Sequence, residues 1–130
     1  MSSQPGDDVT LYAAVGGMPF FEALVGAFYD RVEADQVLRA VYPGEDLGPA
    51  RHRLMLFLAQ YWGGPDDYDS ERGAPRLRMR HFDFPIGPTE RDHWLAAMTG
   101  AVDELNPAPE VREALVTYFQ MGAEALRNRD

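Results

Sequence analysis

Apolar residues recur at helical intervals along nearly the whole chain, and proline and glycine mark where each run stops. Phe21, Leu24, Val25, Phe28, Tyr29 and Val32 follow the i, i+3, i+4, i+7 spacing, which predicts a helix with that stripe toward the core. Pro19 suits its first turn, where a missing N–H leaves no bond unmade. Upstream, Thr10 is placed to cap a short LYAAV turn that stops at Gly16-Gly17, where positive φ is available without strain. Downstream, Asp35 starts a short turn in which Val37, Leu38, Val41 and Tyr42 cluster before Pro43-Gly44 breaks it. Gly48-Pro49 opens a longer helix with Ala50, Leu54, Phe57, Leu58 and Tyr61 on one face, ended by Gly63-Gly64-Pro65.

The thirteen residues GGPDDYDSERGAP, 63 to 75, carry no apolar period and many turn formers. A loop of that length is uncommon in a small domain unless it has a job or is mobile. PRLRMRHF, residues 75–82, reads two ways: as a strand it sets Leu77 and Met79 opposite Arg76, Arg78 and Arg80, and as a helix it aligns Leu77 with His81. The helical context favours the second. After the FPIGP breaker, Thr89 with Asp92 has capping-box spacing, and Trp94, Leu95, Met98, Ala101, Val102 and Leu105 form a stripe. NPAP at 106–109 separates it from a last helix with Val111, Leu115, Tyr118, Phe119, Gly122 and Leu126 inward. No repeat and no hairpin signal interrupts the pattern. The class is all-α, with a disordered extension over residues 1–9 and a single domain over 10–128.

Composition narrows the chemistry. With 130 residues, 45% of them hydrophobic, the chain is long enough to bury roughly two thirds of its unfolded surface without staples. Cysteine is absent, which excludes disulfides, thiolate metal sites, iron–sulfur ligation and thioether-linked haem. No apolar run approaches the about 18 residues of a membrane span, and no leader pattern opens the sequence, so a cytoplasmic protein is expected. The net charge of −9 repels phosphate backbones, which argues against a nucleic-acid partner despite the arginine run.

Three histidines are present, His52, His81 and His93, and none pair at the i, i+4 spacing of a zinc helix. His52 lies off its apolar stripe, and His93 is expected at the surface. His81 stands in line with Leu77 and close to Phe82 and Phe84. It reads either as a histidine satisfied by a carbonyl or as the single axial ligand of a haem iron, with Arg53 and Arg80 as candidates to meet the propionates. For each arginine alone, ordinary solvation is the plainer reading. Tyr29, Tyr42 and Trp94 are polar-tipped residues inside apolar stripes on three separate helices. Each alone reads as core packing with a backbone acceptor. Together, with Leu54 among them, they form a candidate ligand cage. A cofactor-free helical interaction domain remains the alternative.

VYPGEDLGPARHRLMLFLAQYWGGP and RLRMRHF resemble the truncated haemoglobins of the second, O-type group, and the likeness runs from Leu11 to about Leu126. The resemblance implies a shortened globin, a two-over-two helical sandwich around haem b, with glycine pairs ending its first and third helices at Gly16-Gly17 and Gly63-Gly64. It makes His81 the proximal iron ligand. Tyr29, Tyr42 and Trp94 become the polar distal residues, with Leu54 and Ala50 lining the same pocket, Ala50 where larger globins place a histidine. Arg53, Phe57, Leu58, Leu77, Arg80, Phe84 and Met98 are the expected haem contacts. Tyrosine at 42 points to the O-type subset, and FDFP after the histidine is where variation is expected. Oxygen and other diatomic molecules are the implied ligands, with nitric oxide oxidation and peroxide chemistry as family activities. The chain carries no electron-entry motif, so such a cycle calls for an external reductase. A homo-oligomer is also compatible.

Overall fold

The computed structural model describes residues 10–42, 47–65 and 87–126, and contains six helices and no strand among them. In chain order they are α1 (Leu11–Ala14), α2 (Met18–Ala34), α3 (Gln36–Val41), α4 (Gly48–Tyr61), α5 (Pro88–Leu105) and α6 (Pro109–Leu126). α2 packs on α3, α4 and α5, and α5 packs on α2, α3 and α6. The α2–α4 pair thus lies against the α5–α6 pair in a two-over-two sandwich, as expected.

The starts of the first three helices follow the chemistry of the chain. Thr10 Oγ1 accepts from Ala13 N–H at 3.0 Å, and Asp35 Oδ1 accepts from Val37 and Leu38 N–H at 2.9 and 3.2 Å. Pro19 sits in the first turn of α2. Every residue of the predicted α2 stripe is buried, with Ala27 added, and Phe21, Leu24, Phe28 and Val32 show no exposed surface. Leu38 and Val41 bury α3, while Met98, Ala101, Val102, Leu115 and Phe119 close the other layer. No helix among the described residues is long and apolar enough to cross a membrane.

Three local expectations need correction. The start of α5 is two residues earlier than Thr89: Gly87 is the extended residue before Pro88, and the Glu90 carboxylate accepts from its N–H at 2.8 Å. Asp92 is too far along the helix to reach back, and instead accepts from Arg91. Tyr61, expected inward, is 54% exposed, its ring packing on Tyr118 of α6 while the rest faces outward. One turn earlier, Leu56, Phe57, Leu58 and Ala59 are buried in succession, which no single helix face allows. That part of α4 is surrounded. Lastly, Gly63-Gly64 ends the fourth helix, since α3 counts as an element of its own.

The second glycine pair has a packing reason. Gly63 has φ of 104°, and a Cβ on Gly64 would stand 2.6 Å from the Tyr12 ring and 2.8 Å from the Ala59 carbonyl oxygen. This closeness lets Tyr12 N–H donate to the Trp62 carbonyl at 3.0 Å, seating α1 on the end of α4. At the other end of the molecule, Asn106 takes the left-handed conformation, φ 49° and ψ 55°, and turns α5 into α6. The Arg112–Asp103 ion pair, at 2.6 Å, bridges that turn.

Candidate functional site

Tyr29 from α2, Tyr42 at the end of α3 and Trp94 from α5 meet in space, as their pattern predicted. Trp94 Nε1 donates to the Tyr42 hydroxyl at 3.3 Å. The Tyr29 and Tyr42 rings meet edge to face at 5.5 Å. Phe28 lies edge-on to both Tyr29, at 5.0 Å, and Trp94, at 5.5 Å, and so fixes the angle between them.

The electrostatics keep both phenols neutral. Burial, then the neighbouring Tyr42 oxygen, pushes the Tyr29 hydroxyl well above its ordinary range, with Arg53 and Arg51 pulling weakly the other way. Burial raises Tyr42 too, opposed by the hydrogen bonds from Trp94 and Tyr29. Of these, the Trp94 indole N–H is the donor, so the Tyr42 oxygen accepts from α5. A hydroxyl has two acceptor lone pairs and one proton to donate. The indole takes one lone pair, and Tyr42 keeps its own proton to donate.

Ala50, Arg53 and Leu54 are half-buried on α4, whereas Phe57 and Leu58, on the same helix, and Met98 on α5 lie in the core. Leu77, Arg80, His81 and Phe84 lie outside the described residues, as does most of the stretch from 63 to 75 that the sequence marks as a loop. His52 is exposed, as expected.

His93 lies at the surface, as expected, but is not free there. Its side chain is 40% exposed, and its Nδ1 stands 2.7 Å from Asp35 Oδ2. Asp35 was legible as a cap for α3, but nothing in the spacing linked it to a residue 58 positions away. Arg51 was missed as well. Its guanidinium lies 5.9 Å from the Tyr29 ring centre while it pairs with Asp30 at 3.2 Å and Glu33 at 3.7 Å. Among the described residues no group of three or more histidines and carboxylates could hold a metal ion.

A two-over-two helical sandwich of this kind is the architecture of a globin. The family profile described as bacterial-like globin matches residues 10–128. Group 2 truncated hemoglobin YjbI of Bacillus subtilis is 36% identical over 118 residues, covering 91% of this chain and 88% of its own length. The solved hemoglobin of the thermophilic phototroph Chloroflexus aurantiacus superposes with a TM-score of 0.91 at 47% identity, covering 94% of this chain and 100% of that one. The thermostable hemoglobin of the actinobacterium Thermobifida fusca gives 0.90 at 52% identity, covering 92% and 98%. The chain belongs to the truncated haemoglobin family of globins.

Proposed function

We propose that the protein is a group 2, oxygen-binding haem globin that holds its ligand tightly, rather than a bulk carrier. The observation that supports this most directly is the convergence of Tyr29, Tyr42 and Trp94 from three helices, with the Tyr42 hydroxyl accepting from the Trp94 indole and keeping its own proton to offer a ligand. The donor set fits a haem ligand: two neutral phenols and an indole N–H converge beside an apolar wall. Haem b, when bound, supplies the iron at which oxygen or another diatomic ligand is taken up. His81 is proposed as the proximal ligand and Arg53 and Arg80 as partners for the propionates. Ala50 and Leu54 keep open surface for a flat macrocycle, and Phe57, Leu58, Leu77, Phe84 and Met98 complete its apolar surroundings.

The chain's own residues do the rest. The Tyr42 O–H donates toward the ligand, Tyr29 orients Tyr42, and Trp94 fixes it from the other side. Charge-assisted bonds contribute about 1.5–3 kcal/mol each, a factor of roughly tenfold to 150-fold in affinity. Such a cage slows release. It suits retention, sensing or reaction with nitric oxide or peroxide more than transport, and sustained turnover would draw on an outside reductase.

The test is a visible absorption spectrum after haem reconstitution, with thermal unfolding in parallel. A haem band that changes in His81→Ala and a raised unfolding temperature are expected. No band, or a band unchanged in His81→Ala, would sink the reading and leave a cofactor-free interaction domain.

A further inference from the structure

α3 is fastened to α5 at both ends by two consecutive residues of α5. At its start, Asp35 Oδ2 lies 2.7 Å from His93 Nδ1, while Oδ1 of the same carboxylate caps the helix through Val37 and Leu38. At its end, the Tyr42 hydroxyl accepts from Trp94 Nε1 at 3.3 Å. The covalent link from 93 to 94 closes these bonds into a ring around a helix of only six residues. A helix that short has little stability of its own, so its position is set by what it is tied to.

We infer that the Asp35–His93 pair is a positioning clasp for the ligand cage: it fixes where α3 seats on α5 and so holds the Tyr42 hydroxyl against the Trp94 indole. The inference rests on the cage reading above. One oxygen of Asp35 suffices for the cap, and the other is committed to a side chain from a different helix. The Nδ1–H tautomer of neutral histidine and the imidazolium both donate to a carboxylate, so the clasp keeps its donor in either state. Beside it, among the described residues, the Trp94 bond to Tyr42 ties the end of α3 to α5. Small misplacements of a positioning group have large effects on the group it positions.

Three variants separate clasp from cap. Asp35→Ser keeps a good N-cap but lacks the second oxygen, His93→Ala removes the donor, and His93→Gln retains an N–H. Oxygen release from the haem-loaded protein is followed by stopped flow. The Trp94 indole N–H resonance in the carbon monoxide form is followed by nitrogen-edited NMR. Asp35→Ser and His93→Ala are expected to release oxygen about threefold to tenfold faster, the worth of roughly one neutral hydrogen bond, and to move the indole resonance. Their double variant should be no faster than either single one, and His93→Gln should return toward the parent. Parent-like rates and resonance in both single variants, beside a fast Trp94→Phe, would overturn the clasp alone, even if they melt earlier. A parent-like rate in Trp94→Phe would overturn the cage reading and the clasp with it.

Discussion

Two clusters in this chain have the same composition, two tyrosines and a tryptophan. Tyr29, Tyr42 and Trp94 come from three helices and point their polar tips at one another inside the sandwich. Tyr61, Trp62 and Tyr118 pack by their rings at the end of α4, with centroids 4.3 Å apart for Tyr61–Tyr118 and 5.0 Å for Tyr61–Trp62. In the second cluster Tyr61 is mostly in solvent, and Trp62 Nε1 is buried without a hydrogen-bond partner among the described residues. Residue type is the same; the direction of the tips differs. Convergence of three helices concentrates donors in one place, whereas neighbours at a helix end splay and offer mainly ring surface. The first arrangement is suited to a polarised ligand, the second to packing.

The largest effect that separates the clusters should be on stability. Phe28→Ala removes the ring that wedges Tyr29 against Trp94 and leaves a cavity in a fully buried position. Denaturant unfolding should show a loss of about 3–5 kcal/mol, against under about 1 kcal/mol for Tyr61→Ala at its exposed site. Equal losses would mean that the two clusters are equally part of the core.

Ligand release comes next. Tyr42→Phe or Trp94→Phe should accelerate oxygen dissociation roughly tenfold to 150-fold, while Trp62→Phe should leave the stopped-flow rate within about twofold. If the two tryptophans behave alike, the distinction between the clusters fails.

Alkaline titration gives a smaller contrast. Burial, followed by repulsion from Tyr61, pushes Tyr118 up to about 12. A folded value above the unfolded one of about 10 means stability present below pH 10 and lost as pH rises toward 12. Ultraviolet absorbance should show a tyrosinate step in that window that disappears in Tyr118→Phe, with Tyr29 and Tyr42 still neutral.

The smallest effect lies in acid. The His93 bond, opposed by burial and aided by the cap bonds of Leu38 and Val37, holds the Asp35 carboxyl below its ordinary value. Stability from this source is present above the unfolded carboxylate value and lost as pH falls through the folded one. Thermal midpoints of parent and His93→Ala should therefore differ at neutral pH and converge in strong acid.

The sequence carried the helices well because their signals are local. A stripe such as Phe21 to Val32 states its own period, and Thr10 and Asp35 cap the turn beside them. Tyr29, Tyr42 and Trp94 were legible as a set because each places a polar tip in an apolar stripe. Asp35 with His93 was not, since a bond across 58 residues leaves no trace in spacing. Tyr61 misled for a related reason. Periodicity tells which face a residue occupies, but not whether a neighbouring helix extends far enough to cover it. At the start of α5, Thr89 lost to Gly87 because Pro88 fits the first helical position and Glu90 can reach back.

Asn106 has a consequence for how the protein assembles. Its left-handed turn joins α5 and α6 across three residues, so this hairpin can form by closing a very short loop. The cage needs α2 to dock on α5 across a sequence separation of 65 between Tyr29 and Trp94, a slower search on entropic grounds. Folding order and ligand chemistry then fall on different residues: changes at Asn106 should chiefly slow folding, and changes at Trp94 should chiefly speed unfolding.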